Sequence, residues 1–419
     1  MKTMKCIALV CLGTLLWACG EKQARQEKVI LLEEKIAASQ EELKTSGYFA
    51  SIAYVPLETT DSSLIGNRPM AVVGGDKVYV GSSKNACLAF DLKTGKFIGR
   101  VGSLDKGPQG YRSSTEVWVN PESGVLYFPG WKKEFIKYSR EGEFLGVQKL
   151  PENAGDAASF TYLNENILVA RCESFMGKVS DYMLSFDDKG KVLKSYPGVS
   201  RTDSLGGVSD IASISFYGGS AVGLSRGGVA LLKTKEAGKE RVVMMSQPVF
   251  CHWNGKTYYK DSYNDTVFTL TEQGMLPGRV LDMGKYRLAQ EERDSREARK
   301  EKGNINQIME SDRFLMFSYF FYPEEEMQAY RGIFDKNTGE TETAPFENGF
   351  TDDLNGFMNI HPVMENWDNC LISFLQPIDI LTWFEEHPEE ASRLKPEISR
   401  LKDLKEDDNP VLVVARLKK

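Results

Sequence analysis

The chain has 419 residues, with 52 Lys and Arg against 59 Asp and Glu, and a formal net charge of −7. This acidic balance argues against nucleic-acid binding, which needs clustered basic side chains. After the first 20 residues no apolar run is long enough to cross a bilayer as a helix, since that takes about 18 residues or more.

The first residues have the pattern of an export signal. Lys2 and Lys5 precede an apolar run over 7–17, and small residues surround Cys19. This order is typical of a secretory signal peptide, and its end resembles a bacterial lipobox. We therefore predict a lipoprotein signal peptide over residues 1–18 and lipidation of Cys19. An ordinary signal peptide with an incidental cysteine is the alternative.

The predicted lipid would attach the protein to a membrane. We expect a location in the cell envelope, lipid-anchored to the outer membrane, with the periplasmic and surface faces both open. Residues 19–50 are rich in charge, with a few apolar residues between the charged ones. They predict a tether or leader, either a short amphipathic helix or a spacer, and the spacer is favoured.

From residue 51 onward the sequence repeats one pattern: strand, strand, turn, strand. The first copy has Val78–Val80, Cys87–Phe90, a turn at Asp91–Lys96 and Phe97–Val101. Asp and Gly in the turn suit a hairpin. The copies recur at roughly 40 to 60 residues, the spacing of propeller blades.

A sheet of this size cannot bury both faces unless neighbouring sheets stack on it. The repeats therefore predict an all-β fold over residues 51–419, a six-bladed β-propeller with short helical insertions. The fourth blade is assigned to about 205–275, where the pattern is weakest.

The last blade is expected to contain two helices and to close the ring. Val411–Ala415 is predicted as a closing strand, and the extended segment Tyr54–Leu57 is the natural partner for one of the last blade's edges, because unpaired strand edges are a liability. The helical insertions are predicted at Leu288–Lys302, Ile378–Glu386 and Pro388–Lys405.

Several segments resemble a family of six-bladed β-propeller lipoproteins common in Bacteroides-like bacteria. These segments are Tyr54–Gly66, Lys106–Tyr111, Lys260–Phe268, Leu281–Tyr286 and Lys405–Val413. The second is similar to the family's Gly-Pro-Gly-x-Tyr loop, although Gln109-Gly110 departs from the usual spelling. The resemblance implies the propeller fold and a lipoprotein, and it implies no particular activity.

Sequence signatures of catalysis and metal binding are missing. The three histidines lack metal-ligand spacing, and neither a Gly-x-Ser-x-Gly elbow nor a phosphate-binding Gly-rich loop occurs. Metal and cofactor are therefore not expected. Cys87, Cys172, Cys251 and Cys370 form no Cys-x-x-Cys pair and are interpreted as buried thiols, with disulfides as the alternative.

The predicted function is that of a non-enzymatic binding module for a protein or glycan partner. Loops from several blades meet at a propeller's central funnel, where aromatic rings and Arg side chains suit sugars, peptides or anionic groups. The candidate ligand-binding residues are Arg112, Trp131, Arg171, Tyr263, Tyr319 and His361. The alternative for each is packing between blades.

Two other functions stay open. A glycan hydrolase or lyase would place a pair of carboxylates in the funnel, and such a pair is set by the fold rather than by spacing. A structural role in an envelope complex would require a contiguous exposed apolar patch.

Overall fold

The computed structural model describes residues 28–154, 157–172, 182–199, 210–218, 227–236, 240–245, 248–322 and 327–419. The predicted signal peptide and the lipidation of Cys19 lie outside the described residues. The described chain is mostly β-strand, arranged as separate antiparallel sheets.

The described strands form seven sheets, which we number in chain order. Sheet 1 contains Met70–Gly74, Lys77–Ser82, Asn85–Asp91 and Phe97–Val101. Sheet 2 contains Trp118–Val119, Leu126–Pro129, Glu134–Tyr138 and Phe144–Lys149. Sheet 3 contains Ala157–Asn164, Ile167–Cys172, Tyr182–Phe186 and Val192–Pro197. Sheet 4 contains Ile211–Gly218, Gly228–Thr234 and Glu240–Met245.

The remaining sheets complete the set. Sheet 5 contains Phe250–Trp253, Lys256–Lys260, Thr266–Thr271 and Gly274–Asp282, with Lys28–Leu31 added at its edge. Sheet 6 contains Gly303–Glu310, Phe314–Phe321, Gln328–Asp335 and Thr341–Pro345. Sheet 7 contains Cys370–Leu375, Val411–Leu417 and Phe49–Pro56.

Turn chemistry sets the hairpins within these sheets. In sheet 1 the Asp91 carboxylate accepts hydrogen bonds from the backbone N–H groups of Lys93 and Thr94. Gly95 follows at φ +71, in the left-handed region that glycine enters without steric cost. The predicted turn at Asp91–Lys96 is therefore confirmed, and its cause is the Asp side chain together with the glycine.

The two ends of the chain meet in sheet 7. Phe49–Pro56 pairs antiparallel with Val411–Leu417. The prediction that this first segment pairs with a strand near the end of the chain is confirmed, and the structure identifies that strand. Asn409 fixes this junction: its side-chain oxygen accepts from the N–H of Ile65, and its amide donates to the carbonyls of Glu58 and Ser63.

Six apolar clusters join the sheets in pairs. The pairs are sheets 1 and 2, 2 and 3, 3 and 5, 5 and 6, 6 and 7, and 7 and 1. Contacts thus run through six sheets and return to the first. Each cluster buries facing strand residues from two sheets, so no sheet of this series carries a core of its own.

Sheet 4 lies outside that series. Its residues Val229, Val242 and Met244 pack with Leu288 and with Phe320 of sheet 6, while sheets 3 and 5 contact each other directly. The predicted fourth blade at 205–275 is therefore wrong in its boundaries, since this range spans sheet 4 and the first part of sheet 5. The strand and turn pattern of the sequence does not reveal which strands share a sheet.

The leader is part of the body from Lys28 onward, which differs from the predicted tether. Lys28–Leu31 pairs parallel with Gly274–Asp282, and a short helix follows at Glu33–Ala37. Ile30, Leu32 and Ile36 are buried against sheets 5 and 6. These three apolar residues are enough to attach the segment to the body, because its strand also pairs with the edge of sheet 5.

The helical insertions are shorter than predicted, with one exception. Pro377–Glu386 is helical as expected. The predicted helix over Pro388–Lys405 is divided, because Lys395 precedes a proline and is extended at ψ 149. Its parts are helices Pro388–Ala391 and Pro396–Ser399 and a 3₁₀ turn at Arg400–Asp403.

Only one turn of the predicted helix over Leu288–Lys302 is α-helical, at Arg296–Arg299, after a 3₁₀ turn at Gln290–Glu292. The charged residues of this segment form ion pairs with residues further away: Glu292 contacts Lys302, and Arg299 contacts Glu240 of sheet 4. A last short helix, Thr45–Tyr48, leads into sheet 7.

Candidate functional site

The second hairpin of sheet 5 carries a buried acidic residue, Asp261. Its carboxylate accepts from the Arg171 guanidinium of sheet 3 at 3.3 Å and from the Tyr259 hydroxyl at 3.3 Å. It also accepts from the backbone N–H of Tyr263 at 3.0 Å. Arg171 and Asp261 are 5% and 2% exposed, so this ion pair joins sheets 3 and 5 in a largely dry environment.

Lys260 extends this polar cluster to sheet 6. Its ammonium donates to the carbonyl of Asp261 at 2.6 Å and to that of Ile305 at 3.2 Å. Burial lowers the pKa of Lys260 to about 8, and the Asp265 and Asp261 carboxylates oppose that effect. The Lys260 side chain therefore stays mostly protonated at neutral pH. Its two hydrogen bonds connect sheet 5 with the first strand of sheet 6.

A second feature is an exposed surface on the loops of sheet 2, which we call the Trp131 surface: Asp105, Lys106, Arg112, Glu116 and Trp131. The Trp131 side chain is 51% exposed, and its indole N–H donates to the carbonyl of Asp105. Lys106 Nζ lies 5.1 Å from the Trp131 ring centroid. Arg112 lies at the side and contacts Glu116 at 3.4 Å.

Buried Tyr111 holds the loop beneath this surface. Its hydroxyl donates to the carbonyl of Val101 at 2.7 Å and accepts from the N–H of Cys87 at 2.8 Å. Its ring stacks on Phe128 with centroids 4.3 Å apart. The tyrosine of the Gly-x-Tyr segment therefore has a structural role: it fixes the loop that displays Lys106 and supports Trp131.

The six predicted ligand residues lie in several places. Arg171 and Tyr263 both contact Asp261. Arg112 and Trp131 share the Trp131 surface, since the N–H of Arg112 donates to the carbonyl of Pro129 two residues before Trp131.

Tyr319 and His361 belong to neither group. Tyr319 is fully buried and stacks on Tyr330 with centroids 5.2 Å apart. His361 is exposed, on the connection that leads to the first strand of sheet 7. The packing alternative therefore describes Tyr319, whereas His361 is accessible at the surface.

Sequence reasoning missed Asp261, Lys260 and Lys106 as site residues. Asp261 and Lys260 follow directly after the strand residues Tyr258 and Tyr259. Charged residues at that position are usually solvated hairpin residues, so only the neighbouring sheets reveal their burial.

Three further observations concern metal binding, the cysteines and membrane-spanning helices. Within the described ranges, no group of three or more His, Cys, Asp or Glu side chains is placed to hold a metal ion. Cys87, Cys172, Cys251 and Cys370 are buried, and none of them forms a disulfide with another. Burial raises the pKa of the Cys370 thiol to about 11, which disfavours the reactive thiolate.

In the part of the chain that the structure describes, no helix is long and apolar enough to span a membrane.

A solved structure is similar to this chain in fold. A Bacteroides fragilis NCTC 9343 protein described as a "putative exported protein" superposes with a TM-score of 0.63 at 15% identity, over 94% of this chain and 100% of that one. A computationally designed protein, Ika4, reaches 0.23 at 13% identity, covering 46% of this chain and 96% of its own. A eukaryotic initiation factor reaches 0.30 at 9% identity, covering 77% and 84%.

Sequence comparison gives the family. No curated protein sequence matches the chain. Residues 27–416 match the family described as "Domain of unknown function (DUF4934)". The chain therefore belongs to the DUF4934 family.

Proposed function

We propose that this chain is an exported, lipid-anchored β-propeller that binds a glycan through the Trp131 surface, without catalysing a reaction. The observation that carries the proposal is Trp131 itself, a large apolar side chain that is half exposed yet held in place by a hydrogen bond. Lys106 lies over its ring, and the charged pair of Arg112 and Glu116 belongs to the loop that bonds to Pro129, two residues before Trp131.

Support for six blades comes from the sequence of contacts between sheets. Six sheets contact one another in succession, and sheet 7 contacts sheet 1. A closed series of meanders, shut by pairing a strand near the start of the chain with its last strand, is the arrangement of a propeller. In this proposal sheet 4 is an insertion between the third and fourth blades.

Support for export comes from the N-terminal pattern. Basic, apolar and small residues precede Cys19 in the order of a lipoprotein signal, and the similar Bacteroides fragilis structure is described as an exported protein. Lipid on Cys19 would attach the protein to the outer membrane, at the end of a segment that joins the body at Lys28.

A glycan suits the Trp131 surface better than a protein partner does. A stable protein interface needs about 800 Å² on each partner, with a central apolar cluster. Trp131 is instead a single aromatic side chain surrounded by hydrogen-bonding groups, the mixture that recognises sugars in a small site. Binding of a protein is the competing outcome of the test.

Catalysis receives no support from the buried carboxylates of the described residues. Asp261 contacts Arg171, and Glu310 contacts Arg279 and Lys336. Asp352, the third buried acid, accepts from the hydroxyls of Thr45 and Tyr54. A glycosidase instead needs two carboxyl groups facing each other across a pocket, about 5 to 10 Å apart.

Binding to a glycan panel, measured with the protein purified in detergent, tests the proposal. We expect Trp131→Ala to weaken binding of the selected glycan about tenfold or more, which corresponds to about 1.4 kcal/mol, because the stacking face is lost. Leu145→Ala is the matched control: Leu145 is 47% exposed on the outer strand of the same sheet.

Three results would count against the proposal. These are equal loss of binding in both variants, binding of an envelope protein that survives Trp131→Ala, and turnover of a panel glycan by the purified protein.

A further inference from the structure

Arg331 lies in the third strand of sheet 6, Gln328–Asp335, opposite Ser318 and Ala344. It is 1% exposed and is the largest fully buried side chain of the described residues. An arginine so deeply buried normally has a carboxylate beside it, because an isolated buried charge is expensive.

The other buried arginines follow that rule. Arg171 contacts Asp261, Arg241 and Arg293 contact Asp294, and Arg299 contacts Glu240. Arg331 does not: neither of its terminal nitrogens, Nη1 and Nη2, has a hydrogen-bond partner among the described residues. A buried polar group without a partner calls for an explanation, and a bound ligand is one.

Two aromatic rings define how such a ligand can approach. The guanidinium carbon lies 4.5 Å from the Phe346 ring centroid and 4.6 Å from that of Phe350. Cation–π contacts place a cation over the face of a ring. These two contacts therefore leave the guanidinium N–H groups free to form hydrogen bonds. The edge bearing Nη1 and Nη2 keeps its hydrogen-bonding capacity, and a planar carboxylate matches that fork with two parallel bonds.

We propose that Arg331 is a binding site for the carboxylate of a small acidic ligand, held in the plane of the guanidinium beside Phe346 and Phe350. The site is formed by sheet 6 and the connection to sheet 7, whereas the Trp131 surface belongs to sheet 2. The proposal therefore goes beyond glycan binding at Trp131, and either can fail without the other.

The turn that carries the aromatic residues adjoins an exposed residue. Phe346 is half-buried in a 3₁₀ turn over Phe346–Asn348. Gly349 follows at φ +64 so close to exposed His361 that a Cβ there would lie 2.8 Å from the imidazole. The segment that contacts Arg331 thus lies next to His361 at the surface.

A purely structural role for the arginine makes opposite predictions. If Arg331 serves only to pack against the two phenylalanine rings, we expect Arg331→Met to lower the melting temperature. Carboxylates should then have no specific effect on the melting temperature. If Arg331 instead binds a ligand, we expect the Arg331→Met variant to melt at or above the wild-type temperature in ligand-free buffer. The reason is that the substitution removes an unpaired buried charge.

The test measures thermal unfolding and calorimetric binding on the full protein in detergent, at constant ionic strength. Sodium acetate and sodium glucuronate are the probes, with sodium chloride and glucose as references. We expect a saturable rise in melting temperature with at least glucuronate in the wild type, and no rise with glucose. Arg331→Met should abolish that rise, and Arg331→Lys, which keeps the charge without the fork, should weaken binding at least tenfold.

Arg313→Met is the matched control. Arg313 belongs to the same sheet and lies 5.1 Å from the Phe314 ring, but it is paired with Asp335 at 2.7 Å. Its variant should keep the full response to glucuronate.

Equal responses to acetate and glucuronate would assign recognition to the carboxyl group, and a response to glucuronate alone would add the sugar ring; both support the site. The proposal is overturned if neither carboxylate gives a saturable effect, if glucose acts like glucuronate, or if Arg331→Met responds like the wild type. If the Arg331 variants do not fold, crystals of the wild type with glucuronate decide, since the carboxylate density must lie beside Arg331.

Discussion

The His252 imidazole is enclosed where sheets 3 and 5 meet. Its ring nitrogens contact the hydroxyls of Thr161 and Thr257, and its ring stacks on Tyr162 with centroids 4.0 Å apart. Burial lowers the pKa of His252 to about 3. Because this value lies below that of an unfolded histidine, about 6.5, the unfolded chain takes up the proton first as the pH falls.

The stability associated with neutral His252 is therefore present above pH 6.5 and is lost as the pH falls from 6.5 toward 3. We expect His252→Gln, which cannot be protonated, to remove part of the acid sensitivity between pH 7 and 5. The difference should stay below about 1.4 kcal/mol per pH unit, the limit for one proton. Urea unfolding at both pH values measures it, with His387→Gln as the control for loss of a histidine elsewhere. Equal losses in wild type and His252→Gln would contradict the prediction.

Single residues also show what a sequence can and cannot reveal about a site. Trp131 and Arg112 were recognised as candidates because their types and loop positions suit binding, and they do share one surface. Tyr319 has an equally suitable type but faces a neighbouring sheet. Arg331 gives no signal in the sequence, because only its burial and the packing of Phe346 and Phe350 distinguish it.

At the scale of elements, a buried ion cluster joins sheets 5 and 6. Glu310, at the end of the first strand of sheet 6, is 1% exposed. Its carboxylate contacts Arg279 of the last strand of sheet 5 and, at 2.6 Å, Lys336 of the turn after the third strand of sheet 6. One carboxylate thus neutralises two cations at the junction of two sheets.

We expect Glu310→Gln to lower the free energy of unfolding by about 3–5 kcal/mol, because it leaves both cations in place without their counter-charge. Glu340→Gln serves as the control: it removes a carboxylate 2.8 Å from Lys35, but on an exposed surface, where ion pairs contribute little. Chemical unfolding curves compare the two. A loss for Glu310→Gln no larger than that of the control would show that the cluster adds no stability.

Elements differ in how well the sequence predicts them. Hairpins were located because Asp and Gly act locally, as at Asp91 and Gly95. The helix over Leu288–Lys302 was predicted too long, since Arg299 pairs with Glu240 of another sheet rather than within its own turn. The division at Lys395 follows from the next residue, Pro396, and was visible in the sequence.

For the molecule as a whole, the sequence predicts the repeating sheets and the pairing of the first body strand with a strand near the end of the chain, but not the place of sheet 4. Only contacts between distant residues separate sheet 4 from the other sheets. Thr257 donates to the carbonyl of Tyr162 at 2.8 Å, and Tyr196 donates to that of Thr271 at 2.9 Å. These bonds join sheets 3 and 5 without any contribution from sheet 4.

If sheet 4 is an insertion in a ring of six blades, replacing residues 200–247 with a short Gly/Ser linker should leave a folded protein with one cooperative thermal transition. Its melting temperature should fall, because Leu288, Phe320 and Tyr322 lose their apolar cover. Replacing residues 118–149 of sheet 2 in the same way should instead prevent folding, since sheet 2 supplies residues to two of the six clusters. Near-ultraviolet circular dichroism and calorimetry distinguish the two variants. If both fail to fold, sheet 4 is as integral to the fold as sheet 2, and the assignment of six blades is wrong.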